Sequence, residues 1–181
     1  MKTFSVCASA RGAETAVARA IKSLVGNKTP VFVCIGTDAV TGDSLGPLTG
    51  TLLSEKLNGK AYVLGTLERP LTALDVNFAS EFVKKVYPYG AVIAIDAALG
   101  KREEIGTVLI SDFPVKPGLG VKKNLNEIGD VSVIGIVNEK TETGGDLGAV
   151  RLSLVYRLAS LVTGGIEKLF DENEAERASG D

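Results

Sequence analysis

Histidine is absent from all 181 residues. A Ser-His-Asp triad, a Cys-His pair and a histidine-liganded zinc or nickel site within one chain are thereby excluded. Any proton donor or acceptor near neutral pH must be a shifted carboxylate, lysine, tyrosine or cysteine. Cysteine is scarce too. Cys7 and Cys34 stand far apart and neither belongs to a CxxC pair, so zinc knuckles and disulfide frameworks are excluded and a reducing cytoplasm is expected. Cys34 sits in an apolar run and reads as a small core residue, Cys7 as an exposed one. No apolar run approaches the roughly 18 residues of a membrane span, and MKTFSVCASARGAE lacks the core of a secretory signal. Lysine and arginine form no cluster and the formal net charge is -2, so neither nucleic acid nor membrane is an expected partner.

What the chain does have is ordinary globular composition, 45% hydrophobic and 23% charged, at the length of one domain. We expect a single α/β domain over residues 1–170 and a charged tail over 171–181 that frays for want of apolar anchors. Helical spacing runs from Ala13 to Val25, where Gly26 supplies a C-terminal cap. Val31 to Ile35 is a β-branched run without alternation, as in a strand buried on both faces. A leucine stripe from Leu45 to Leu57 predicts the next helix, stopped by Asn58 and Gly59, and AYVLG a strand after it. Pro70 to Val86 reads as a helix with Leu71, Leu74, Phe78, Phe82 and Val86 on its buried face. AVIAI, ending at Asp96, TVLIS and VSVIGIV are further strands, and Val150 to Leu161 begins a last helix that Gly164 and Gly165 interrupt. Strands alternating with helices describe a three-layer α/β/α domain with a mostly parallel sheet.

Ligands of such sheets bind beyond the carboxyl ends of the strands. Two segments fall there: GTDAVTGDSLGP, Gly36 to Pro47, carrying Asp38, Thr41, Asp43 and Ser44, and the strand end at Asp96. The first is no phosphate loop. Gly36 and Gly42 are one residue too far apart, Asp43 stands where the lysine belongs, and its carboxylates would repel a pyrophosphate. Taken singly, Asp43 could cap the following helix and Asp96 could satisfy main-chain amides at a strand end. Taken together, on neighbouring strands about 4.8 Å apart, the two carboxyls would meet. One would stay protonated while the other orients a water, or the pair would hold magnesium or calcium between its oxygens.

IGTDAVTGDSLGP, VLGTLERPLTALDVN, VIAIDAALG, VKPGLGVKK and IGDVSVIGIVN, in this order from Val31 to Val137, resemble the YyaC sporulation protein family. That family is similar to the spore germination proteases and, more remotely, to the hydrogenase maturation proteases. The resemblance implies their phosphorylase/hydrolase-like fold, no cofactor beyond a cation at the aspartates, and a peptide or protein substrate. A homo-oligomer stays open. By motif it assigns catalytic roles to Asp43 and Asp96 and places Pro117, Gly118, Gly120 and Val121 beside the cleft. Asp38, Thr41, Ser44, Gly118 and Gly120 are the substrate-binding candidates. Lys122 and Lys123 would either attract an acidic peptide or form a solvated pair. Without histidine the resemblance does not extend to nickel-sensing maturation activity. The implied function is a sporulation-associated, peptidase-like hydrolase. A non-catalytic peptide- or partner-binding protein and a cation-dependent hydrolase are its alternatives.

Overall fold

The computed structural model describes residues 2–116, 126–142 and 144–179, apart from the side chains of 173 and 176–179. The elements are β1 (Thr3–Cys7), α1 (Ala13–Val25), β2 (Pro30–Cys34), α2 (Leu45–Leu57), β3 (Tyr62–Leu64), α3 (Val76–Val86), β4 (Ala91–Gly100), β5 (Thr107–Ser111), β6 (Val131–Glu139) and α4 (Leu152–Ser179). The strands form one sheet in the order β1-β5-β6-β4-β2-β3. The pairings β2–β3, β2–β4 and β4–β6 are parallel, whereas β1–β5 and β5–β6 are antiparallel. The sheet is therefore mixed, with its parallel part at β3, β2, β4 and β6. Neighbouring strands without alternation, Val31 to Cys34 and Ala91 to Ile95, are buried on both faces because helices cover both.

Opposite faces of these strands feed two cores. Phe32, Cys34, Ile93 and Ile95 pack with α1, α2 and α4, while Val31, Val33, Val92 and Ala94 pack with α3. The resulting layers are α/β/α, as the alternating pattern predicts. No helix among the described residues is long and apolar enough to cross a membrane.

Four local expectations need correction. The helix expected from Pro70 begins at Val76, because Leu71 is extended and bridges Ile35. Its buried face is Val76, Ala79 and Val83, and Leu74 and Phe78 are exposed. Small side chains let α3 sit close to the sheet, and the larger stripe stacks outside it, Phe78 on Phe82 at 6.0 Å and Phe82 near Tyr62 at 6.3 Å. The last helix runs through Gly164 and Gly165 without a break. A Cβ on Gly165 would lie 2.5 Å from Val17 Cγ1, and one on Gly164 2.7 Å from Glu14 Oε1. The two glycines are thus the crossing point of α4 on α1, and the closeness of that contact offsets the roughly 1 kcal/mol each costs in helix propensity.

The helix also continues to Ser179, into the segment expected to fray. Buried Ile166 and Leu169 anchor it, and the Lys56–Glu167 (3.1 Å) and Lys60–Glu174 (2.6 Å) ion pairs tie it to the end of α2. Finally, Asp96 does not end its strand. β4 continues to Gly100, paired with β6. The edge strand β1 has only Val6 buried, too weak an apolar signal to be read from sequence.

Candidate active site

The site forms where β2 and β4 part. Cys34 pairs with Ile95, and the Ile35 N–H donates to the Ile95 carbonyl at 2.8 Å. Beyond that rung β2 turns out of the sheet. Gly36 takes φ 138°, and its N–H donates to the Leu71 carbonyl. A Cβ at this position would sit 2.0 Å from the Asp43 carbonyl oxygen, which leaves glycine as the residue that fits.

The loop then folds back on itself. The Thr37 N–H donates to Asp43 Oδ2 at 3.0 Å and lies 3.2 Å from the Asp43 carbonyl oxygen. Asp43 itself sits in a short 3-10 turn, Gly42–Ser44, that leads into α2. Its carboxylate is thus held by the loop behind it rather than by the helix ahead. Gly42 N–H donates to the Leu147 carbonyl at 2.7 Å, which brings the segment before α4 against the loop. Gly46 in the first turn of α2 is pressed so close to β2 that a Cβ would be 2.0 Å from the Ile35 carbonyl oxygen. The end of β2 and the start of α2 therefore fix Asp43 from both sides.

Asp96 follows Ile95 on β4. Alternation along the strand puts it on the same face as Val92 and Ala94, the face α3 covers. It is only 9% exposed. Desolvation pushes its carboxyl up to about 8; a hydrogen bond from Ala97 N–H (2.8 Å, to Oδ1) opposes this, and the nearby charge of Asp43 adds to it. Asp43 is half-buried, and desolvation raises its carboxyl above the usual range against the pull of the Thr37 amide. Each carboxyl spends one oxygen on a main-chain amide, and neither second oxygen accepts a bond from the described residues. The pair is therefore graded: a deeply desolvated carboxyl whose proton affinity is raised strongly by burial, beside a more accessible one that burial also raises.

The other candidates divide. The Ser44 hydroxyl is buried and donates to the Thr41 carbonyl at 2.6 Å, so both residues stabilise the turn that carries Asp43. Asp38 is exposed at the outer side of the loop. Gly118 and Gly120, with Pro117, Val121, Lys122 and Lys123, lie outside the described residues. Sequence reading misses Thr37, whose contribution is a main-chain amide and leaves no side-chain signature. It also misses Leu147, which acts through its carbonyl. Among the described residues no three His, Cys, Asp or Glu side chains converge on a metal position. A cation at Asp43 and Asp96 would complete its shell with water. A separate cleft of about 540 Å3, lined by Lys28, Lys84, Tyr87 and Asp130, opens at the other end of the parallel strands. Asp130 there is committed to the Val92 N–H at 2.8 Å.

The architecture is that of a known class of α/β proteins. It is similar to the [NiFe] hydrogenase maturation protease HycI from Thermococcus kodakarensis KOD1, with a TM-score of 0.57 over 83% of this chain and 98% of that one, at 17% identity. At that identity the likeness concerns the fold. In sequence, residues 8–165 match the family described as "Protein of unknown function (DUF1256)", and the chain belongs to that family. It is 38% identical over 168 residues to "Uncharacterized protein YyaC" of Bacillus subtilis (strain 168), a match spanning 92% of this chain and 81% of that protein.

Proposed function

We propose that this protein is a peptidase-like hydrolase of spore-forming cells in which Asp43 and Asp96 work as an unequal pair. Asp43, ionised, takes a proton from a water and directs it at an amide carbonyl. Asp96, protonated, gives its proton to the carbonyl oxygen as the tetrahedral species forms. The proton balance is closed when Asp43 passes its gained proton to the leaving nitrogen and Asp96 recovers its own as the carbonyl re-forms.

The observation that carries this reading is the junction itself. Two carboxyls from segments 53 residues apart in sequence, Asp43 and Asp96, lie beyond the last β2–β4 rung, near enough for the charge of Asp43 to raise the proton affinity of Asp96. The fold shared with a maturation protease and the family motifs lend it support.

The test is incubation of purified protein with small acid-soluble spore proteins, beside Asp43→Asn and Asp96→Asn variants checked for folding by circular dichroism. Cleavage by the wild type and a loss of at least about 100-fold in either variant is expected, the usual scale for an acid or base. Equal cleavage by all three would remove the mechanism. Sensitivity to chelator, restored by magnesium, would replace it with the cation-dependent form.

A further inference from the structure

In a parallel ladder each residue directs its N–H and C=O to the same neighbouring strand, and successive residues alternate between the two neighbours. On β4, Ile95 faces β2, since its carbonyl accepts the Ile35 N–H, and Val92 faces β6, since its carbonyl accepts the Asp130 N–H. Gly100 faces the β6 side as well, with its carbonyl accepting the Lys140 N–H at 2.8 Å. Ala97 and Leu99 therefore turn their main-chain groups toward the position of β2.

β2 is no longer there. Its last partner on β4 is Ile95, and Gly36 has carried the chain across to Leu71. β4 runs on for five residues, Asp96 to Gly100, with β6 as its one paired strand among the described residues. Along this stretch the Ala97 N–H is taken by Asp96 Oδ1. By this alternation the Ala97 carbonyl and the Leu99 N–H and carbonyl point away from β6, and the described residues make no bond to them outside the strand ladder. Both residues are partly exposed. An acceptor, then a donor and acceptor two residues on, spaced roughly 6.6 Å apart, is the pattern one further strand would satisfy.

We propose that this open edge is the substrate cradle: an extended peptide adds to β4 alongside Ala97–Leu99 and is thereby laid across Asp96. This rests on the hydrolase reading and supplies what that reading leaves open, the form of the substrate. Recognition through the main chain tolerates most side chains and selects against structure. Helical segments cannot present the required N–H and C=O groups, and a proline or N-methyl group at the residue facing the Ala97 carbonyl removes the donor it needs. Asp96 links the two roles, because the carboxyl proposed as the acid also takes the Ala97 N–H, which leaves the Leu99 N–H as the edge donor to the peptide.

The experiment uses the full-length Asp43→Asn protein, 15N-labelled, and two capped, disordered decapeptides of alanine and lysine. One is plain and the other is N-methylated at alternate residues. Binding of the plain peptide should shift the Leu99 amide and slow its hydrogen exchange, and N-methylation should weaken binding at least tenfold. Leu99→Pro, which deletes the outward N–H and leaves the β6 bonds of Ala98 and Gly100, should do the same. Should Leu99→Pro unfold, the comparison of the two peptides decides alone. Equal binding of both peptides, shifts remote from β4, or no binding overturns the cradle. Binding at Leu99 without cleavage by the wild type would overturn the hydrolase and keep the cradle. Cleavage that ignores N-methylation would do the reverse.

Discussion

The Thr37 amide reaches both oxygens that Asp43 offers it, the carboxylate Oδ2 at 3.0 Å and the main-chain carbonyl at 3.2 Å. A single N–H so placed fixes the side chain of Asp43 relative to its own backbone. It also holds down the carboxyl's proton affinity, against the desolvation that raises it. The loop from Gly36 to Asp43 is in this sense a clasp whose product is one oriented carboxyl near Asp96.

Activity should accordingly follow a bell in pH. The alkaline limb reports Asp96 losing its proton and is expected near pH 8. The acid limb reports Asp43 and should lie above the usual carboxyl range, in the direction burial pushes it. Measurement of kcat/KM against pH on a fluorogenic peptide checks both limbs. A flat profile between pH 6 and 9 would contradict the assignment of acid and base.

Stability carries the same signature with a definite sign. Because the folded carboxyl of Asp96 is raised to about 8 while the unfolded one has the ordinary value near 4, the folded state holds the extra proton between these values. Rising pH through that window therefore removes stability. Chemical denaturation of wild type and Asp96→Asn should give a difference that is constant below about pH 4. It should grow in favour of the variant up to about pH 8, reaching a few kcal/mol, and then level off. A difference independent of pH would place the carboxyl in a wetter environment than its burial implies.

Gly46→Ala should destabilise the fold by about 3 kcal/mol, since its new methyl would occupy the space of the Ile35 carbonyl oxygen. Backbone retreat there would also displace the turn holding Asp43. Thermal melts and peptide turnover should fall together in this variant, whereas a melting temperature within error of wild type would show that α2 can move aside freely.

Thr163 is 3% exposed on α4 and its hydroxyl has no partner among the described residues, and the Ser132 hydroxyl on β6 is in the same state. Replacing Thr163 by valine keeps the shape and removes an unsatisfied polar group. A gain of about 1 kcal/mol is expected in urea titration. A loss of that size would reveal a hydrogen bond made in solution.

The α3 correction yields a paired test. Phe78→Ala should change stability by less than about 0.5 kcal/mol despite deleting an aromatic ring, because Phe78 is 72% exposed. Val83→Ala, at 1% exposure, should cost about 2 kcal/mol. The reverse order would restore the buried stripe that periodicity alone predicts.

These cases show where residue patterns carry information and where they do not. α1, α2 and the strands β2, β4, β5 and β6 are legible because burial dictates their composition: β-branched runs sandwiched between helices, and leucines at helical intervals. α3 misleads because large apolar residues at correct spacing outvote the small ones, although Ala79 and Val83 are what permit a close approach to Val31 and Val92. The glycines of α4 mislead in the opposite direction. A local propensity reads them as a break, whereas their reason is Val17 on a different helix. At the site, Asp43 and Asp96 are visible because their motifs place acidic side chains beyond the ends of apolar runs. The Thr37 amide, the Leu147 carbonyl and the unpaired edge of β4 are main-chain features that any residue could supply, so composition is silent about them. The continuation of β4 past Asp96 is equally hidden, since a charged residue inside a buried strand is unfavourable and reads as a strand end.

The two cysteines, finally, have opposite surroundings. Cys34 is fully enclosed beneath α2, and burial pushes its thiol well above the ordinary value. Cys7 is exposed on the edge strand, and the hydroxyl of Ser9, 3.1 Å away, lowers its thiol below the ordinary value. The unmodified chain is thus chemically addressable at a single sulfur. A maleimide fluorophore or spin probe will enter at the sheet's outer margin, three strands from β4, and report on the proposed peptide cradle without any engineered attachment point.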